Sequence, residues 1–213
     1  RLIVVIEAIF RYDSYPKTMA FGLEFYYGVS LDFAGEPHAL VFFQDVPIII
    51  EDREYDRLRV EVFNFDPSFA QGGKTVIKVV FDSDYDYWQK LSKDKTAYNH
   101  EKSRLADLVA DLLDKRFVGF KNSIEAVDVV TPVTVTHWTG GYRGFCLPWP
   151  APEQISGEVS KNGVSKTLPG LQNFYMVGQW AVGMNGLGTA AQSGRDLIKQ
   201  LCKKDNKKFQ TTK

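Results

Sequence analysis

From Phe21 onward, apolar and polar positions alternate. Phe21, Leu23, Phe25, Tyr27, Val29, Leu31 and Phe33 fall on one side, and Gly22, Glu24, Tyr26, Gly28, Ser30 and Asp32 on the other. In a strand successive side chains point to opposite faces, so this stretch predicts a long, half-buried β-strand. Gly35-Glu36-Pro37 turns the chain, and His38 to Phe43 is expected to pair back on that strand as a hairpin. Asp45 to Tyr55 has no clear period. Leu58, Val60 and Val62 alternate again, Asp66-Pro67-Ser68 and Gly72-Gly73 mark a loop, and Thr75 to Phe81 is a β-branched run. This second hairpin extends the first into an antiparallel sheet of four or more strands.

Helical spacing takes over downstream. Asp82-Ser83-Asp84-Tyr85-Asp86-Tyr87-Trp88 caps a helical segment, and Leu105, Leu108, Val109, Leu112, Leu113 and Phe117 form the apolar stripe of a helix over Glu101 to Phe117 that lies across the sheet. Ile124 to Val130 reads as a returning strand. Thr131-Pro132 supplies a cap and a first-turn proline for a short helix or turn over Val133 to Trp138. Gly140-Gly141-Tyr142-Arg143-Gly144-Phe145 leads into Pro148-Trp149-Pro150-Ala151-Pro152, a rigid extended loop, and residues 153–167 read as an exposed polar excursion. Near the N-terminus, Leu2 to Phe10 is an apolar run of strand or short-helix type. At the other end, Phe174 to Trp180 is a short apolar run between glycines, read as a buried strand. A Gly-rich turn follows, then a helix with Leu187, Ala190, Ala191, Gly194, Leu197, Ile198 and Leu201 on one face.

These elements make the fold class α+β: a mainly antiparallel sheet covered by helices on one face, with a C-terminal strand–Gly-rich turn–helix. The expected division is 1–138, an α+β domain; 139–201, a loop with the C-terminal strand and helix; and 202–213, a flexible lysine-rich tail.

With 213 residues and 44% hydrophobic content, the chain can bury a full core. Its 26 basic residues balance 26 acidic ones, which argues against a nucleic-acid partner. Cys146 and Cys202 are the only cysteines and lack CxxC spacing, so neither a disulfide framework nor a zinc site is indicated, and a reducing cytoplasm fits. No apolar run reaches the roughly 18 residues that span a bilayer. The tail from Lys203 leaves a weak, peripheral membrane contact open. Arg1 is not an initiator methionine, and the chain is expected to be a piece of a longer one.

Candidate chemistry concentrates at the C-terminal turn. A strand that passes through glycines into a helix leaves backbone amides unpaired at the positive end of the helix dipole, a place suited to an anionic or electron-rich ligand. Ser193 and Gly194 inside the helix suggest that something approaches that face closely. Elsewhere the signals are thin. His38, His100 and His137 are far apart, with no metal-ligating spacing. Ser14, Ser30 and Ser193 lack a nucleophile elbow, and Asp82, Asp84 and Asp86 lack the glycine and terminal glutamate of a calcium loop. Phe21, Phe25, Tyr27 and Phe33 are core residues first, and some of them could line a tunnel for a long apolar substrate.

Asn173-Phe174-Tyr175-Met176-Val177-Gly178-Gln179-Trp180, then Gly186-Leu187, then Ser193-Gly194-Arg195 resemble the C-terminal flavin-contacting segment of the phytoene desaturase-like FAD-dependent oxidoreductases. These are relatives of the carotenoid isomerases and retinol saturases, within the amine oxidase superfamily. Thr131-Pro132-Val133-Thr134 with Thr139-Gly140-Gly141-Tyr142-Arg143-Gly144 is similar to the stretch that precedes that segment, and Tyr85-Asp86-Tyr87-Trp88 resembles part of the substrate domain. This chain has Gly183, Met184 and Asn185 where the family usually has Pro-Gly-Gly, and Gly188 for its second proline.

The resemblance implies the C-terminal half of an enzyme that moves a hydride between an unsaturated, carotenoid- or retinoid-like substrate and FAD. It implies flavin contacts at Gly178, Trp180, Gly183, Met184, Asn185, Gly186 and Leu187, and substrate contacts at His137, Phe25 and Tyr27. The strand–GxGxxG–helix that holds the ADP half of FAD does not occur in the sequence. The N-terminal FAD-binding domain is thus an expected partner, and the chain alone is expected to be colourless and inactive. The competing expectation is a non-enzymatic module that binds an apolar ligand or a protein.

Overall fold

Apolar residues at every second position give five strands: β1 (Ala20–Val29), β2 (Ala39–Ile50), β3 (Arg53–Val62), β4 (Thr75–Ser83) and β5 (Ile124–Val130). They belong to a computed structural model that describes residues 20–145, 166–167, 170–181 and 186–211. The strands form one antiparallel sheet of order β2-β3-β4-β1-β5. Leu40, Val60, Val79, Phe25 and Val129 lie side by side in one row across all five. The sheet face carrying this row is the core: Val60, Val79, Phe25 and Val129 are buried, and Leu40 packs against them half-buried.

The long alternation after Phe21 forms β1, which ends at Val29, while Phe33 stays buried beyond it, edge-on to Phe117 with ring centroids 4.9 Å apart. The expected hairpin between this strand and His38 to Phe43 does not form. β1 is the fourth strand in the order, held between β4 and β5, and β2 pairs with β3 through a two-residue turn at Glu51 and Asp52. Alternation marks a strand's faces but not its neighbour. β2, exposed along half its length, suits an edge. The second expected hairpin, β3 with β4, is present.

Helices α1 (Tyr85–Leu91), α2 (Lys95–Arg116) and α3 (Pro132–Thr139) follow the sequence signals. Asp84 caps α1 by accepting from the Asp86 amide at 2.8 Å, and Asp94 caps α2 by accepting from the Thr96 and Ala97 amides at 2.9 and 3.2 Å. α2 begins ahead of the expected Glu101 because its first turns are polar and carry no apolar period. Leu105, Val109 and Leu113 bury its inner face, each stabilising the fold by about 1.5–3 kcal/mol. Tyr27 reaches it from the sheet, its hydroxyl donating to the Ala106 carbonyl at 2.7 Å.

The chain divides into two compact units, Thr18–Cys146, which holds the sheet with α1 to α3, and a second built from Arg1–Lys17 and Leu147–Lys213. The second unit contains helix α4 (Leu187–Lys204). The strand expected over Phe174 to Trp180 is not formed: residues 174–177 run without a ladder and Gln179–Ala181 is a 3-10 turn. An apolar run becomes a strand only beside another strand, and here residues 174–177 have one backbone bond among the described residues, from the Met176 amide to the Lys166 carbonyl at 2.7 Å. Leu2 to Phe10, Pro148 to Pro152 and residues 153–165 lie outside the described residues. No helix among the described residues is long and apolar enough to cross a membrane.

Candidate functional site

Helix α4 starts behind Gly186, whose φ of 109° and ψ of 154° are open to glycine and strained for any other residue. As N-cap, Gly186 has no side chain to offer the first amides, and the first turn carries no acidic residue. A Cβ at Gly186 or Gly188 would meet nothing within 4 Å, and the next side chain, Leu187, is 92% exposed. The positive end of the helix dipole is therefore met by neither an N-cap side chain nor a first-turn carboxylate.

Ser193 fixes the approach to this turn. It is buried inside α4, its Oγ accepts from the Gly178 amide at 3.3 Å, and its carbonyl accepts from Lys166 Nζ at 3.0 Å. The close approach expected near Ser193 and Gly194 thus occurs at Ser193, where the backbone of Gly178 comes in. At Gly194 a Cβ would meet nothing. The face of α4 also differs from expectation. Leu197 is buried and Ala190 and Leu201 half-buried, while Leu187, Ala191 and Ile198 are exposed, so the apolar arc is covered along one flank only. The lysines from Lys203 to Lys208 are exposed, and Phe209 folds back under Arg195 and Lys199, 5.9 and 5.7 Å from its ring centroid.

Of the expected flavin contacts, Gly178, Gly186 and Leu187 are in this unit, and Trp180 lies in the 3-10 turn Gln179–Ala181. Gly183, Met184 and Asn185 lie outside the described residues. The expected substrate contacts do not come together. Phe25 and Tyr27 point into the sealed core, Phe25 edge-on to Phe81 at 6.1 Å and Tyr27 edge-on to Phe120 at 5.5 Å. Their alternation with Leu23 and Val29 places them on the face that α2 covers, so they pack the sheet and line no tunnel. His137 is exposed on α3, edge-on to Trp138.

The stretch from Thr131 to Gly144 is tightly built. Thr131 and Thr134 form a reciprocal capping box, and Tyr98 joins their hydroxyls at 2.7 and 3.2 Å. Arg143 sits at a positive φ of 52° and grips Asp86 with both guanidinium nitrogens at 2.8 and 2.7 Å. Asp82 pairs with Arg59 and Asp84 caps α1, so each of the three acidic residues that resembled a calcium loop is engaged by the protein itself.

Two arrangements escaped sequence reading. On the face of the sheet opposite α2, the Tyr26 hydroxyl donates to Glu24 at 2.5 Å, and Lys78 Nζ lies 3.6 Å from both Glu24 and Glu61. Burial, and then the bond to Glu24, push the Tyr26 phenol well above its usual range, so it remains a donor. The sequence signal was the polar side of the β1 alternation. The second is Glu51, whose carboxylate gathers donors from β4 and α1; nothing in the local sequence marks it.

No family model matches the chain. No curated protein matches it either.

Proposed function

We propose that this chain is the C-terminal, substrate-side and flavin-contacting region of an FAD-dependent oxidoreductase acting on an unsaturated hydrophobic substrate. The observation that carries the reading is the start of α4: a glycine N-cap, Gly186, without a side-chain cap, at the head of an eighteen-residue helix whose first side chain, Leu187, is exposed. Such a donor set fits the electron-rich pyrimidine edge of a flavin, and the missing Cβ at Gly186 leaves room for a flat ring. When bound, the flavin would accept or donate the hydride. The residues of this chain would orient it. Ser193 and Gly178 hold the turn in place, and the α4 amides favour negative charge on the ring.

The test is the protein translated from the same reading frame extended upstream of Arg1. It is expected to contain a strand–GxGxxG–helix and to purify with one FAD per chain, and Gly186→Glu, which sets a carboxylate into the turn, should release the flavin without unfolding the sheet. An extended protein that binds no flavin overturns the reading. The second reading, a non-enzymatic module for an apolar partner, draws on the exposed rings of Phe65 and Phe69, 62% and 47% exposed, packed with Phe63. It predicts no flavin in either form of the protein.

A further inference from the structure

β2 is the outermost strand of the sheet and has β3 as its one partner among the described residues. Natural sheets blunt such edges with short strands, charges, prolines or bulges, because the open row of amides and carbonyls templates pairing with another strand. The opposite edge follows that rule: β5 has seven residues and carries Glu125 and Asp128. β2 is twelve residues long and carries one charge, Asp45. Its blunting devices, the register shift between Phe43 and Ile48 and the proline at 47, are confined to the second half. The first half, Ala39 to Phe43, is regular, free of charge, and displays Val41 at 53% and Phe43 at 74% exposure.

We propose that this half-strand is a pairing edge through which two copies of the chain join antiparallel into one continuous sheet. A strand paired with its own copy in this way is two-fold symmetric and closes at two subunits. Centring the pair on Val41 sets each Phe43 opposite Ala39 of the other copy, the largest exposed side chain against the smallest. It also joins rows of the two sheets. Phe43 is the register partner of Arg57 and Ala39 that of Glu61, so each row reads Arg57, Phe43, Ala39 and Glu61 across the junction, a cation at one end and an anion at the other, twice. Arg57 already leans toward the junction, its guanidinium 5.3 Å from the Phe43 ring centroid. On the core side, Leu40 of one copy meets Phe42 of the other, and both are half-buried residues at the margin of the core.

Sedimentation equilibrium of the 213-residue chain over roughly 1–100 μM tests this. The expected result is a monomer–dimer equilibrium. Val41→Lys, which brings two ammonium groups together at the two-fold axis, should weaken it by roughly tenfold or more while leaving the far-UV circular dichroism unchanged. Should Val41→Lys fail to fold, Phe43→Lys serves in its place, since that ring lies mostly in solvent. A chain that stays monomeric throughout, a dimer indifferent to both lysine variants, or oligomers that grow past two each overturn the proposal. None of these outcomes depends on flavin binding.

Discussion

Removing the Glu51 carboxylate should unravel the end of the sheet where the β2–β3 turn meets α1. One carboxylate oxygen accepts from the Ser83 hydroxyl at 2.6 Å and from the Trp88 indole, and the other accepts from the Asp84 amide at 2.7 Å. Ser83 and Trp88 are both fully buried. In Glu51→Ala the indole keeps a partner, because it also reaches the Ser83 hydroxyl oxygen at 3.1 Å. The Ser83 proton and the Asp84 amide lose theirs. At about 1–3 kcal/mol for each stranded donor, discounted for water reaching the outer side of the site, the loss is about 3 kcal/mol. For a unit of this size that is roughly 10 °C in melting temperature. Urea unfolding followed by far-UV circular dichroism measures it. A loss below about 0.5 kcal/mol refutes the role given to this carboxylate.

The same site sets a pH dependence. Burial raises the Glu51 pKa above its ordinary value, and the bonds from Ser83, Asp84 and Trp88 offset only part of the effect. A raised pKa in the folded state means that folding favours the protonated form. The group's contribution is therefore complete below the ordinary glutamate pKa and is lost as pH rises through the raised one. The stability difference between the native chain and Glu51→Gln should accordingly narrow as pH rises across that window. A difference that widens instead contradicts the assignment.

Two further outcomes follow from backbone geometry. Asp52, at a φ of 61° in the two-residue turn, should gain about 0.5–1 kcal/mol on replacement by glycine, read as a higher urea midpoint at constant slope; a lower midpoint would show that the aspartate side chain supports the turn. Gly140 and Gly144 share a positive φ, of 68° and 74°, but a Cβ at Gly140 meets nothing while one at Gly144 falls 2.5 Å from the Pro132 carbonyl oxygen. Gly140→Ala should thus cost about 1 kcal/mol and Gly144→Ala about 3 kcal/mol, compared by thermal unfolding; equal costs would refute the crowding argument.

What the sequence made legible is what local chemistry decides. The alternation from Leu23 to Val29, the stripe from Leu105 to Leu113 and the Thr131-Pro132 cap each carry their structure within about one turn or one strand, and each is present. Partners were not legible. Nothing in Phe21 to Phe33 states that β4 and β5, rather than β2, lie beside it, because strand order is decided by which faces the whole sheet can bury. The same limit hid Glu51, whose donors stand 32, 33 and 37 residues away, and the Tyr26–Glu24–Lys78 set, which needs β4 beside β1. It also made Phe25 and Tyr27 look like tunnel residues, since one row of aromatic side chains reads alike whether a helix or a ligand covers it.

Phe174 to Val177 takes that argument to the proposed site. Its composition is that of a buried strand, yet it lies without a ladder, and Val177 is 52% exposed. The flank of α4 formed by Leu187, Ala191 and Ile198 is likewise bare. Under the proposed function, one element supplied by the FAD-binding domain would cover both the strand-like run and the adjoining helix flank. A parallel sheet edge with its own helix layer would satisfy both at once, giving the run a neighbour and the helix flank a packing surface. The dinucleotide-binding unit required by the proposed function has that architecture, whereas an apolar small molecule could fill the flank but could not hydrogen-bond the run along its length. Under the proposed function, the two exposed surfaces are thus better matched by a protein domain than by a small ligand.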